Sequence, residues 1–218
     1  MSGSFPVFDA VLQHAIACLA PRRALDVGAG AGKYGQLLAA QAPACHRSAI
    51  ERDPSCVQQH GLETLYDRVW VGDSAAWLAQ TQPEVFDLVL IGQCLEHNAK
   101  SAGLDLLQAL LHRCAWLVVV VAEHPTPVVV DQVAQSPCLS IWTERDMHWH
   151  DLWAWDNCRS TTLLVLRGLL SSALTLVQLV DAVNSADVPV RHFDGVTAVR
   201  PARLRLVDHR RELDYRPL

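Results

Sequence analysis

The chain has 218 residues, enough for one large domain or for one domain with an appendage. Half of it is hydrophobic and only 19% is charged, so it can bury a core and is not a disordered tail. A formal net charge of −5 argues against a long basic stripe for nucleic acid, and no run of about 18 apolar residues marks a membrane-spanning helix.

Before Arg22 and Arg23 there is no basic start followed by an unbroken apolar stretch, so no secretory leader is expected. The seven cysteines form no CxxC pair, which speaks against a disulfide framework or a zinc ribbon. A reduced, cytoplasmic protein is the expectation.

Residues 5–20 space apolar groups at helical intervals, and Pro21 closes the segment. A short strand, 24–27, runs into glycines, and 33–42 read as a helix stopped by Pro43. A second strand is expected at 48–51. Asp53-Pro54 then has the signature of a helix start, with Asp as cap and Pro at the first helical position. Residues 69–71 make a third strand ending at Gly72-Asp73. The fourth, 86–91, is apolar on both faces; the helix 103–113 carries leucines at helical spacing, and 116–122 is the fifth strand. Doubly apolar strands alternating with helices describe a parallel sheet covered on both sides, an α/β doubly wound fold whose ligand site lies at the carboxyl ends of the strands.

Beyond residue 122 the rhythm changes. Residues 123–142 hold three prolines and no helical period, the mark of a long, functional loop. Thr143-Glu144-Arg145-Asp146 resembles a capping box. Residues 152–167 suggest an antiparallel hairpin turning at Asp156-Asn157 and ending in a strand at 161–167. An amphipathic helix, 174–183, and Arg-rich, strand-like pieces follow. The division expected is a cofactor-binding domain over 1–167, with 123–160 on its substrate side, and a helix-and-strand extension over 168–218.

The segment Asp26-Val27-Gly28-Ala29-Gly30-Ala31-Gly32-Lys33-Tyr34-Gly35 joins the first strand to the next helix. A dinucleotide fingerprint needs a sixth-position glycine where Lys33 stands, and a phosphate loop GxxxxGK[ST] needs Gly at 27 and Ser or Thr at 34. What remains is GxGxG with an acid two residues ahead. That carboxylate repels phosphate and suits an ammonium. The second strand ends in Glu51, placed to accept hydrogen bonds from ribose hydroxyls. The third ends in Asp73-Ser74, placed for an adenine amino group. An amino acid joined to adenosine meets all three demands, and S-adenosylmethionine is such a molecule.

With these residues the sequence resembles the class I S-adenosylmethionine-dependent methyltransferases, and within them a bacterial branch whose loop reads DxGxGxGKYG. The likeness continues through Tyr66-Asp67-Arg68-Val69-Trp70-Val71-Gly72-Asp73, Phe86-Asp87-Leu88-Val89-Leu90, Leu95-Glu96-His97, Lys100, Gly103 and Leu106-Leu107, with a weaker echo at Ser140-Ile141-Trp142-Thr143. It covers about residues 20–150. The resemblance implies a Rossmann-like, seven-stranded, mostly parallel sheet with an antiparallel last strand. It also implies that Asp26, Gly28, Gly30 and Gly32 cradle the methionine part, that Glu51 holds the ribose, that Asp73 meets the adenine, and that residues 92–94 pack near the sulfonium. That branch usually shows an acid three residues before the Glu-His pair. Here Gln93 stands in its place; an amide can accept from an ammonium or donate to a substrate, but it cannot serve as a base.

Methyl transfer to a hydroxyl needs a positioned nucleophile and an acceptor for its proton. His97 is the candidate base and Glu96 its candidate orienter or a substrate contact; the alternative is that the pair caps the next helix and fixes its entry. Glu123-His124 ends the fifth strand on the same side and reads as a ligand-side pair or a loop anchor. His148, His150, Asp151 and Asp156 are metal-ligand types, with His148 and His150 expected on one face of a strand. They show no converging set, so no metal is assigned. Five of the seven tryptophans lie at 116, 142, 149, 153 and 155. They suit an acceptor pocket for a flat ring or sugar face, with core packing expected for at least half of them. Cys94 reads as a packing residue rather than a nucleophile. The arginines of the tail, interleaved with acids, suggest a solvated face or a homodimer contact.

The expectation is a methyltransferase acting on a small-molecule or sugar-containing acceptor, at oxygen, with S-adenosylhomocysteine (SAH) as product. A non-catalytic protein that binds the cofactor and regulates or scaffolds is the alternative.

Overall fold

The computed structural model describes residues 4–79, 84–123 and 138–209. A single turn of 3-10 helix at Pro6–Phe8 leads into α1 (Asp9–Leu19). Then follow β1 (Arg23–Val27), α2 (Lys33–Gln41), β2 (His46–Glu51), α3 (Pro54–Gln59), α4 (Leu62–Leu65), β3 (Arg68–Val71), α5 (Ser74–Leu78) and β4 (Phe86–Gly92). A 3-10 turn at Leu95–His97 precedes α6 (Lys100–Leu111) and β5 (Cys114–Ala122). After another 3-10 turn, Glu144–Met147, come β6 (Leu152–Cys158), β7 (Thr161–Arg167), α7 (Leu176–Ser185), β8 (Pro189–Arg191), β9 (Ala198–Pro201) and β10 (Arg205–Asp208).

The main sheet runs β10-β6-β7-β5-β4-β1-β2-β3. The five strands β5, β4, β1, β2 and β3 are mutually parallel, while β7 is antiparallel to both of its neighbours. That is the expected seven-stranded plan with its antiparallel strand. An eighth strand, β10, is added: Arg205, Leu206, Val207 and Asp208 pair antiparallel with Trp155, Ala154, Trp153 and Leu152. The Arg205 guanidinium stacks over Trp155, its register partner, at 4.8 Å, which favours closing this edge.

Alternation along the strands explains the layers. In β5, Trp116, Val118 and Val120 face one core and Leu117, Val119 and Val121 the other, because successive side chains of a strand point to opposite faces. The first core is roofed by α1, α2 and α7, the second by α5 and α6. Burying each large apolar side chain contributes on the order of 1.5–3 kcal/mol, so this strand anchors both layers. Leu176, Leu179, Val180, Val183, Val190 and Leu204 of the C-terminal extension lie in the same first core as Phe8, Leu38 and Leu90.

Two local expectations need correction. The hairpin turns at Arg159-Ser160, with Arg159 at φ 58°, and not at Asp156-Asn157, which lie inside β6. Asp156 is drawn into the strand because Arg200 and the Arg203 amide satisfy its buried carboxylate. His148 and His150 do not share a strand face: both precede β6, and His150 Nε2 lies 3.0 Å from the Arg167 carbonyl oxygen. The capping box at Thr143 and Asp146 is present as expected, and so is the Asp53 cap of α3. The helix expected at 174–183 is α7, whose capping box uses Thr175 and Gln178. No helix among the described residues is long and apolar enough to cross a membrane.

Candidate functional site

The strand order reverses between β1 and β4, since β2 and β3 lie to one side and β5 to the other. Such a switch point opens a crevice at the carboxyl ends of the strands. Asp26, the glycine loop, Glu51 and the turn after β4 all belong to this end.

Gly28, Gly30 and Gly32 have φ values of 78°, 52° and 76°, the left-handed region that glycine enters without a steric penalty. Gly32 is the N-cap of α2. The loop is tied to the second strand, because the Gly28 and Ala29 amides donate to the Ile50 carbonyl. The Gly30 amide donates to Glu51 Oε2 at 2.7 Å, while Glu51 Oε1 accepts from the Asp53 amide at 2.9 Å. Each carboxylate oxygen can accept twice, so Glu51 shapes the loop and retains capacity for ribose hydroxyls.

Asp26 is buried within β1. Its Oδ2 accepts the Tyr66 hydroxyl at 2.5 Å, whereas Oδ1 is buried with no hydrogen-bond partner among the described residues. Burial pushes its carboxyl up to about 7; the Tyr66 hydrogen bond opposes this, Glu51 adds to it, and Lys33 opposes it. A buried orphan acceptor is costly, and a cationic amino group satisfies it. The residues thus fit the amino-acid end of S-adenosylmethionine. Tyr66, which in the sequence stands only within the 66–73 motif, is thus brought against Asp26 by the fold.

Asp73 is exposed and caps α5 by accepting from the Ala75 amide at 2.8 Å; Ser74 is the first residue of that helix. Gln93 sits at φ 48° after β4. Its backbone N–H donates to the Val120 carbonyl, and its side-chain Oε1 accepts from the Phe5 amide at 2.6 Å. Lys33 Nζ reaches the same N-terminal segment, donating to the Ser4 and Phe5 carbonyls and pairing with Asp9 at 2.7 Å. Gln93 and Lys33 therefore hold residues 4–9 against the glycine loop.

Glu96 is buried, and burial raises its carboxyl. Its Oε1 accepts from the Ala122 amide, while Oε2 is buried without a partner among the described residues. This ties the Leu95–His97 turn to the end of β5. The Glu96 carbonyl also accepts from the Leu139 and Ser140 amides. Ser140 Oγ donates to the Asn98 carbonyl and accepts from Trp142 Nε1. Trp142 packs over Gly103 beneath the Lys100 ammonium, which lies 3.9 Å from the ring centroid. Lys100, Gly103, Ser140 and Trp142, scattered in the sequence, thus form one clamp beside Glu96-His97.

Cys94 Sγ lies against the glycine loop, 2.7 Å from where a Cβ on Gly28 would stand. Burial pushes its thiol up to about 12, so it packs as a thiol and is no ready nucleophile. Glu123 accepts from Asn157 Nδ2 and Thr162 Oγ1, which makes it an anchor for the hairpin; its partner His124 lies outside the described residues. Trp116, Trp142 and Trp153 are core residues, while Trp155 is half-buried and Trp149 exposed. Among the described residues no group of three His, Cys, Asp or Glu converges as a metal site.

The sequence matches no known family model and no curated protein. Solved structures do resemble the fold. An O-methyltransferase family protein from Burkholderia thailandensis superposes with a TM-score of 0.55 at 12% identity, over 76% of this chain and 56% of that one. The N-terminal domain of EvdMO1, studied in the presence of SAH and D-fucose, gives 0.54 at 17% identity, over 77% and 84%. Human N-acetylserotonin methyltransferase in complex with SAM gives 0.54 at 17%, over 74% and 52%. The chain spans little more than half the length of the Burkholderia protein. At these identities the likeness is one of fold: the chain has the Rossmann-like, doubly wound architecture on which these methyltransferases are built.

Proposed function

We propose that the protein is an S-adenosylmethionine-dependent methyltransferase acting at oxygen on a small-molecule or sugar-containing acceptor. The observation that carries this reading is the buried Asp26 carboxylate, with one oxygen unpartnered, beside a positive-φ glycine loop that Glu51 braces. The solved structures of the same fold include proteins bound to SAM or SAH, which supports it. In this reading residues 1–167 form the cofactor-binding unit and 168–218 an extension, of which the described part, 168–209, packs on the same core.

When bound, the cofactor supplies an electrophilic methyl group on a sulfonium and departs as SAH. Asp26 holds the ammonium, and Gly28, Gly30 and Gly32 let the backbone approach the methionine part. Glu51 accepts from the ribose hydroxyls, and Asp73 and Ser74 stand at the adenine end. Gln93 keeps residues 4–9 closed over the methionine side. His97 removes the acceptor's proton, and Glu96 fixes the turn that carries His97.

A second reading, a non-catalytic cofactor-binding regulator or scaffold, draws on one observation: the side chains of Gln93 and Glu96 are both engaged with backbone amides. The two readings part in a single assay. Incubation with S-adenosylmethionine and an extract of candidate acceptors yields SAH if the chain is an enzyme. His97→Ala should then cut turnover and leave SAH affinity nearly unchanged; full turnover in that variant removes the base role. Glu51→Ala should weaken SAH by about 1–3 kcal/mol in calorimetry through loss of charged hydrogen bonds, and unchanged affinity removes Glu51 from the site.

A further inference from the structure

Asp26 has a dedicated partner. Tyr66, the C-cap residue just after α4, donates its hydroxyl to Asp26 Oδ2. The same hydroxyl oxygen accepts from the Gly35 amide at 2.9 Å. Gly35 makes this approach available, since a Cβ there would lie 2.7 Å from the hydroxyl oxygen. The ring belongs to a small apolar cluster with Ala29, Ala49, Val57 and Leu62, so the phenol is held by packing as well as by hydrogen bonds. Burial and the neighbouring Asp26 charge push the phenol far above its ordinary value, which keeps it a donor.

An aspartate carboxylate turns readily about its last side-chain bond. In this site one oxygen is pinned by a hydroxyl that is itself pinned by a backbone amide, so the orientation of the other is set in advance. We propose that Tyr66 is a positioning residue for the cofactor's amino-acid end: by occupying Asp26 Oδ2 it reserves the buried, unpartnered Oδ1 for the cationic amino group. The proposal rests on the methyltransferase reading above. It assigns the GKYG segment a second task, because its last glycine admits the phenol that aims the carboxylate. Glu51 and Lys33 also face Asp26 electrostatically, but no hydrogen bond from either reaches it among the described residues. Tyr66 therefore supplies the orientation.

The test compares two ligands on the full chain. SAH carries the amino-acid end; 5′-methylthioadenosine is an adenosine thioether without it. Calorimetry on Tyr66→Phe should show SAH affinity reduced about tenfold, the size expected when a charged hydrogen-bond acceptor loses its alignment, with methylthioadenosine affinity unchanged. Equal SAH binding by both proteins, or parallel loss of both ligands, overturns the proposal while leaving the methyltransferase reading intact. Failure of the unaltered protein to bind SAH overturns that reading itself. Asp26→Asn, which removes the buried charge, gives a second background in case Tyr66→Phe does not fold alone. There Tyr66→Phe should cost no further SAH affinity, and a further tenfold loss also overturns the proposal.

Discussion

Arg200 grips Asp156 with both arms of its guanidinium, Nη2 to Oδ1 at 2.7 Å and Nη1 to Oδ2 at 3.0 Å. The Asp156 side chain is only 6% exposed, and the Arg203 amide also donates to its Oδ2. The pair staples β9, and the Arg203 amide the segment after it, to the middle of β6.

Removing one partner of such a pair strands a charge in the interior. Arg200→Ala should lower stability by about 3 kcal/mol, toward the small end for a buried pair because Arg200 is one-third exposed. In a chain of this size that is a thermal midpoint roughly 6–12 °C lower. An unchanged midpoint in thermal denaturation would show that the staple contributes nothing.

The raised Asp26 carboxyl makes both folding and binding depend on pH. Between 3.8 and about 7 the folded protein keeps a proton on Asp26 that the unfolded chain has released. Its contribution to stability is therefore full below 3.8 and is lost as pH rises through about 7. Asp26→Asn abolishes this loss and should stabilise the ligand-free protein increasingly over that window, by up to about 4 kcal/mol at pH 8. SAH affinity in the unaltered protein should move the opposite way, rising as pH climbs through about 7, since the ionised carboxylate is what an ammonium needs. Denaturation and calorimetry at matched pH values check both signs; a flat SAH profile between pH 6 and 8 contradicts the account.

Lys33 holds residues 4–9 through two carbonyls and Asp9. Lys33→Met keeps the aliphatic stem and removes the donors. The Phe5 amide, bonded to Gln93 Oε1, should then exchange with deuterium at least about tenfold faster, as a lost charged hydrogen bond implies. Amides of β1 and β4 should not change. Uniform acceleration across the sheet would mean that Lys33 supports the whole fold rather than this segment.

The strands and the acids at their ends are legible in the sequence because burial on both faces leaves long apolar runs, and because the glycine spacing marks where the first run meets a ligand. Tyr66 is harder to find: it is 40 residues from Asp26, and its one local signal is Gly35, which periodicity does not explain. At Gln93 the residue type alone suggests lost chemistry, yet the structure gives the amide a definite partner in the Phe5 backbone. The Asp156-Asn157 pair has strong turn propensity, and tertiary pairing with Arg200 overrides it. Strand β10 is too short for a period to register and is defined only by its partner β6.

That eighth strand also governs how the molecule meets its own kind. By pairing with residues 152–155 it covers four residues of the open backbone of β6, including Trp153 and Trp155. In exchange it offers a border of four residues, flanked by Arg205 at one end and Asp208 at the other. Short, charged borders resist ladder growth between chains, so self-association by sheet continuation is discouraged on this side of the sheet.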